Sequence, residues 1–506
     1  MSLGIEELIT FCKKKGFVYP SSEIYGGLAG LWDYGHLGTL LKKNFENLWR
    51  AYFLKLDENF YEIECSEIMP EKVFVASGHL QNFTDIAAKC KKGHIEKAEQ
   101  LLEKALGKRF DGISKEEIIN LIKKNKIVCS TCKNQIDFVG PINMMFPIEL
   151  GATNPVKAYL RPETAQSAYV NFKMQHELNR GKLPMGLALI GRAYRNELSP
   201  RNMLLRQRAF VQAELQIFFN PSKINEHKNF NEVKSYKLQV VESAQREKGI
   251  QSVSCNDLVK RIPKFYVYYM AKVQQFYLDF LQFPKEKFRF YELNEQEKAF
   301  YNKFHFDIEI DLGEAGWTEV AGVHYRTDHD LKGHQDISKE NMEVYEEETK
   351  ERFIPHVLEL SFGVDRNLQA ILTLAYNYDK KRENVVLSLD PRLAPIKAAV
   401  FPIVKDEKMI ALSREIYESL REEWFVKYDE SGSIGRRYSR NDEIGTPFCI
   451  TIDEDSLSKK TVTIRDRDST IQIKVPITIL KENLKKLIKK EISFEKAGEM
   501  INTRKK

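Results

Sequence analysis

The sequence predicts an α+β fold: an antiparallel sheet flanked by helices, with a smaller α/β module behind it. Three observations predict it. From 210 to 219 the apolar residues Val211, Ala213, Leu215 and Ile217 alternate with Gln212, Glu214 and Gln216, and a period of two is the mark of a strand with two unlike faces. Strand texture returns at 306–310, 317–323 and 357–360, giving successive antiparallel strands flanked by helices rather than a doubly wound parallel sheet. No G-x-G-x-x-G or P-loop phrase follows any strand, so the nucleotide sites of parallel-sheet folds are absent.

Along the chain, a glycine-rich loop at Tyr25–Gly30 precedes Leu41, Phe45, Leu48, Tyr52 and Leu56, spaced by three and four as in an amphipathic helix. An extended run from Phe60 to Ile68 follows and stops at Pro70. Residues 95–126 are polar and helical, with Ser114 and Glu117 spaced as a capping box. The first insertion is taken as about 84–136. Residues 220–300 are expected to be mostly helical, a second insertion with Tyr266, Tyr268, Tyr269 and Phe276 to Phe280 as packing residues. A helix is expected near Asp365, and a boundary at Asp390–Pro395. Beyond it, runs at 396–404, 448–452, 461–467 and 471–475, with a helix around 409–425, alternate strand and helix. The expected domains are therefore 1–390 and 391–506.

At 506 residues and 58.9 kDa the chain exceeds one ordinary core. Its 42% hydrophobic and 30% charged residues describe a globular protein, and no apolar run approaches a membrane span or a signal peptide. A cytoplasmic location is the expectation, and seven scattered cysteines fit a reducing compartment better than a disulfide framework. Of the net charge of +6, residues 391–506 carry +5, from 24 Lys and Arg against 19 Asp and Glu. That asymmetry suits a terminal module meeting a polyanion such as RNA, or is merely a lysine-rich soluble domain.

The chemistry lies in short phrases. Arg195 stands in Gly191-Arg-Ala-Tyr-Arg-Asn-Glu197, and Arg366 in Phe362-Gly-Val-Asp-Arg366. Fork-shaped, permanently charged guanidinium groups suit a site that neutralises phosphate charge. With Tyr159-Leu-Arg-Pro-Glu-Thr-Ala-Gln166, Gly316–Gly322, Tyr325-Arg-Thr-Asp-His-Asp-Leu331 and Pro355–Ser361, the set resembles motifs 2 and 3 of the class II aminoacyl-tRNA synthetases, and within that class the homodimeric glycyl-tRNA synthetases. The helix and strand ending at Pro70 resemble motif 1, which implies a homodimer. The C-terminal module is similar to that class's anticodon-binding domain, with Arg436–Arg440 and Arg465–Arg467 as the basic residues for that surface.

The resemblance implies a glycine-tRNA ligase whose partners are ATP, glycine and tRNA(Gly), with Mg²⁺ as cofactor. By it, Arg195 binds the α-phosphate and the attacking carboxylate, Glu197 the adenine amino group, and Phe210 and Arg366 the two faces of the ring. Asn196, Leu205, Arg206, Val320, Gly363 and Asp365 complete the ATP site, and Glu319 is the Mg²⁺ ligand. Lys97, Glu163, Phe210, Gln212, Glu214, Glu359 and Ser361 are implied for glycine, the acids attracting its ammonium and the packing excluding larger side chains. Lys97 stands where the family usually has arginine. Cys129 and Cys132 form a C-x₂-C knuckle, and with Cys90 and His94 make either a Cys₃His zinc site or a degenerate site without metal. Two alternatives remain: a sibling class II synthetase for another amino acid, and a synthetase-like nucleic-acid-binding accessory protein without catalysis.

Overall fold

The computed structural model describes residues 4–107, 114–299 and 301–501. Strands with one apolar and one polar face have to be covered on the apolar side, and here nine strands, five long and four short, assemble into one sheet. In chain order they are β1 (Phe60–Glu62), β2 (Met185–Tyr194), β3 (Ala209–Phe219), β4 (Lys237–Val241), β5 (Gln251–Ser254), β6 (Phe288–Glu292), β7 (Phe304–Asp311), β8 (Trp317–Thr327) and β9 (His356–Gly363). The spatial order is β5-β4-β6-β7-β8-β9-β3-β2-β1. Pairing is antiparallel except for β1 with β2 and β4 with β6.

Two helices cover the apolar face beside the central strands. In α1 (His36–Phe53) the buried residues Leu37, Leu41, Phe45, Trp49 and Phe53 recur every four positions, so the seam is drawn differently from the spacing read in the sequence. Leu48 and Tyr52 are half-buried at its edge and Leu56 lies beyond the helix. The helix α2 (Val364–Ala375) starts directly from β9 and buries Leu368, Ile371 and Leu372 in the same core. Phe362 of β9 touches both Trp49 and Phe53 of α1.

The region 220–300 departs from expectation. It is not mostly helical: it supplies β4, β5 and β6, and so widens the main sheet rather than standing outside it. The sequence misled because the strands are short and lie between lysine-rich turns. Its one long helix, Lys264–Gln275, buries Tyr266, Tyr268 and Tyr269 in the main core as predicted. The first insertion is a separate unit with its own core of Leu101, Leu102, Ile118 and Ile122. Its described residues form two helices, Ala98–Leu106 and Lys115–Lys124, the second opened by the Ser114–Glu117 capping box. Its three-stranded sheet (Thr84–Cys90, Ile95–Lys97, Ile136–Asn143) runs on to 143, seven residues past the expected end.

The C-terminal sheet comprises β10 (Ala398–Pro402), β11 (Val426–Tyr428), β12 (Phe448–Ile452), β13 (Thr461–Asp466), β14 (Gln472–Pro476) and β15 (Glu499–Met500), in the order 11-10-12-13-14-15. Helices Glu407–Arg421 and Leu480–Ile488 cover it and share its core. Three of the arginines read as an RNA surface are instead internal. Arg437 donates to the carbonyls of Pro402 and Gly432, Arg465 forms a two-pronged pair with Asp442, and Arg467 donates to the carbonyls of Gly445 and Leu389. Each is at most 6% exposed, and the five N–H donors of a guanidinium group let it satisfy several buried oxygens at once. Arg436 and Arg440 do face solvent.

Candidate active site

The polar face of the sheet is concave over β7, β8, β9 and β3, and a cavity of about 180 Å³ opens there. Strand register decides what lines it. One rung of the sheet places Asp307, Gly322, Ser361 and Glu214 side by side; the next places His305, His324, Glu359 and Gln216. Four strands thus contribute one residue each per rung, with a side chain at every position but Gly322. In β8 an extra residue, Val320, interrupts the ladder, so that Ala321 pairs with Ile308 but Glu319 with Glu309. This is a β-bulge. The carbonyl of Val320 accepts from Asn367 Nδ2 of α2 at 2.9 Å, and Asn367 Oδ1 in turn accepts from the Tyr277 hydroxyl at 2.7 Å. The bulge is therefore held from below by two fully buried side chains.

At the inner end, Glu163, Glu214 and Glu359 are all buried. Burying three carboxylates is costly unless they are matched. The match is Arg326, which is 2% exposed. It reaches Asp330 at 2.8 Å, Glu359 at 3.2 Å and Glu163 at 3.5 Å. His324 Nδ1 lies 2.5 Å from Glu359, and His79 Nε2 3.5 Å from Glu163. Burial alone would hold protons on Glu163 and Glu359, but His79 with Arg326, and Arg326 with His324, overcome it and keep both carboxyls below the usual range. Glu214 has only neutral partners, Thr164, Gln212, Gln216 and Ser361. Burial, reinforced by the charges of Glu359 and Glu163, raises its carboxyl to about 7.

At the outer end the side chains are looser. Arg195 donates to the carbonyl of Pro162 at 3.0 Å and lies over the rings of Phe83 and Phe210. Arg366 pairs with Glu319 at 2.9 Å and donates to the carbonyl of Leu205; Glu319 is about half exposed (51%). Arg206 pairs with Glu197 at 2.7 Å and reaches Asp85 at 3.4 Å. Asp365 accepts from the Val211 amide and the Tyr34 hydroxyl, which fixes α2 to β3 at the cavity wall.

Of the residues singled out from the sequence, Arg195, Glu197, Leu205, Arg206, Phe210, Glu319, Val320, Gly363, Asp365, Arg366, Glu163, Gln212, Glu214, Glu359 and Ser361 line this one cavity. Asn196 and Lys97 do not. The Asn196 amide donates to the Met144 carbonyl behind the wall. Lys97 pairs with Asp85 at 3.0 Å and Glu99 at 3.1 Å, and so meets the cavity only through Asp85 and Arg206. Sequence reasoning missed the partners of the acids. Arg326 and Asp330 sit within a phrase already singled out, but Arg326 lies at the end of β8 and Asp330 in the helix His329–Ser338 that follows, so no helical spacing announced the pair. His79 and His324 carried no signal either.

Cys90, His94, Cys129 and Cys132 converge in the first insertion, one ligand atom of each lying within 4.8 Å of all the others. Cys90 Sγ is 3.6 Å from both His94 Nδ1 and Cys132 Sγ, and Cys129 Sγ is 3.7 Å from His94 Nδ1. Tetrahedral zinc with bonds of about 2.0–2.3 Å has ligand–ligand edges of roughly 3.5–3.8 Å, so this donor set fits that ion.

Known proteins bear on this arrangement. Residues 149–375 match the tRNA synthetase class II core domain of the G, H, P, S and T type, and residues 397–487 the anticodon binding domain. A glycine–tRNA ligase of Pyrococcus horikoshii is 37% identical, with 96% of this chain and 98% of that one covered. One of Clostridium acetobutylicum is 38% identical, covering 96% and 99%. Among solved structures, a threonyl-tRNA synthetase RNA-binding domain from Cryptosporidium parvum superposes with a TM-score of 0.59 at 16% identity, covering 95% of this chain and 98% of that one. A prolyl-tRNA synthetase from the same organism gives 0.57 at 13%, covering 96% and 75%; both likenesses speak to the fold. On the strength of near-complete coverage by relatives of this identity, the chain belongs to the glycine–tRNA ligase family of class II aminoacyl-tRNA synthetases.

Proposed function

We propose that the protein joins glycine to tRNA(Gly) in two steps: attack of the glycine carboxylate on the α-phosphate of ATP, then transfer of the glycyl group to the tRNA. The observation that carries this is the meeting, in one cavity, of a buried carboxylate cluster small enough for an ammonium and the outer arginines Arg195 and Arg366. Glu214 and Ser361 share a rung with Gly322, so the ammonium would be drawn to Glu214 while the Ser361 side chain closes the space a larger substrate would need. Arg195, steadied by two aromatic rings, would orient the carboxylate and absorb charge growing at the α-phosphate. Binding of adenine to Glu197 would release Arg206 toward the phosphates, and Arg366 would exchange Glu319 for them. Glu319 would hold Mg²⁺, which offsets phosphate charge when bound. Cys90, His94, Cys129 and Cys132 would hold a structural zinc that fixes the first insertion.

The further parts of the reading are a catalytic region over 1–390, an anticodon-reading region over 391–506 with Arg436 and Arg440 at its surface, and a homodimer. The loop side chains Ile24, Tyr25 and Leu28, 89%, 87% and 65% exposed, favour the dimer because apolar groups in such a position gain by being covered. Among the described residues no helix is long and apolar enough to cross a membrane, which agrees with a cytoplasmic enzyme. ATP/pyrophosphate exchange with each of the twenty amino acids tests the central claim. Exchange that needs glycine and vanishes in Arg195→Ala supports it; exchange with another amino acid, or none, overturns it.

A further inference from the structure

Two histidines that line the cavity, and an aspartate beside them, touch no substrate in the reaction proposed above. His305 and Asp307 are alternate residues of β7 and so share its cavity face; across the ladder His324 faces His305, and Gly322 faces Asp307. One ligand atom from each of His305, Asp307 and His324 lies within 4.8 Å of the other two. Both rings lean along their strands toward the Asp307–Gly322 rung. His305 Nε2 is 2.9 Å from Asp307 Oδ1. His324 Nε2 hangs over Gly322 so closely that an added Cβ would lie 2.2 Å from it. Glycine thus leaves open the space into which both rings point.

The opposite nitrogen of each ring is tied from behind, as metal-binding imidazoles are. His324 Nδ1 meets Glu359, which as an acceptor leaves Nε2 without a proton whenever the ring is neutral. His305 Nδ1 meets the side-chain amide of Asn302, at 3.1 Å. Asn302 is 5% exposed, and its Oδ1 has no hydrogen-bond partner among the described residues. Which end of an amide carries oxygen is an assignment. Turning it over sets Oδ1 against a His305 Nδ1–H and moves the unpartnered position to Nδ2, and in that orientation His305 Nε2 is a second free donor pair beside that of His324.

We propose that His305, Asp307 and His324 hold a divalent transition-metal ion above Gly322, with Asn302 and Glu359 orienting the two imidazoles. Two nitrogens and one carboxylate favour zinc, cobalt or nickel over Mg²⁺, which prefers oxygen alone. The site is separate from the cysteine cluster, and it stands or falls independently of the ligase reading. The ion occupies the same rung as Ser361 and Glu214, beside the amino-acid end of the cavity.

Co²⁺ titration of the full-length protein carrying one equivalent of zinc, which the thiolate-rich cysteine cluster takes ahead of a nitrogen–oxygen site, tests this, with bound ion counted by equilibrium dialysis and its ligands read from the absorption spectrum. The expected result is Co²⁺ bound with weak visible bands and no added thiolate charge-transfer band. Asp307→Asn, which keeps the side-chain volume, and His305→Gln should each weaken that binding at least about ten-fold, while thermal melts show both variants folded. Co²⁺ held only through thiolate, no bound Co²⁺, or equal affinity in folded wild type and both variants would overturn the proposal.

Discussion

At the inner end of the cavity Glu163 and Glu359 are buried and matched to Arg326, His79 and His324; at the outer end Arg195, Arg206 and Arg366 rest on carbonyls, aromatic rings, the buried Glu197 and the half-exposed Glu319. The inner network is closed on itself, so it can be ready before any substrate arrives. The outer pairs are each a carboxylate and an arginine that, on the proposed reading, a nucleotide would exchange. The difference suits a substrate that offers almost nothing to grip and another that brings its own charges.

Breaking the inner network should therefore cost folding, and breaking the outer one should cost rate. Arg326→Leu leaves Glu163, Glu359 and Asp330 without their shared cation, and unpaired buried charge costs about 3–5 kcal/mol; a large fall in the thermal midpoint is expected, and an unchanged midpoint would show that the network is not closed. Arg195→Ala should keep the wild-type midpoint while lowering kcat in pyrophosphate exchange by roughly 10²- to 10³-fold. Ser361→Gly sharpens the contrast by opening space while removing one neutral hydrogen bond to Glu214 and no charged group. Discrimination of glycine from alanine, read as the ratio of kcat/KM values, should fall by about 1–3 kcal/mol, with little effect on the KM for ATP.

The smallest effect is a pH dependence. Because the Glu214 carboxyl is raised to about 7 in the folded protein, it is neutral below that pH and anionic above it. The stability it contributes as a neutral acid is full below its ordinary range near pH 4.5 and is lost as pH rises through about 7. Glycine affinity should move oppositely, strengthening over the same interval as the anion forms. Glu214→Gln should flatten both profiles; a profile unchanged in that variant would assign the titration elsewhere.

Much of the fold and of the cavity was legible in the sequence for a physical reason. A strand shows its two faces through alternation, so the shared face of Gln212, Glu214 and Gln216 follows from their spacing alone. The phrases around Arg195 and Arg366 are contiguous in the chain, and both arginines reach the cavity. What the sequence hid was pairing across strands. His324 meets Glu359 only through register, and the buried roles of Arg437, Arg465 and Arg467 depend on carbonyl and carboxylate groups far away in the chain. Charge in a sequence does not say whether it faces water or a carbonyl, and three arginines read as an RNA surface proved to be internal struts. The strands of 220–300 were obscured because each is only four or five residues long.

The bulge at Val320 has a consequence for how one strand serves two ligands. Without it, even-numbered residues of β8 would face the cavity throughout, as Gly322 and His324 do, and Glu319 would point into the hydrophobic core. The extra residue changes the parity of the strand midway, so odd Glu319 and even Gly322 open onto the same space. Deleting Val320 would therefore leave a regular ladder in which Ala321 and Glu319 still pair with Ile308 and Glu309 and Glu319 still faces the cavity, whereas straightening the strand with Val320 in place would turn Glu319 into the core; Asn367, which holds the Val320 carbonyl, is the latch against that slip.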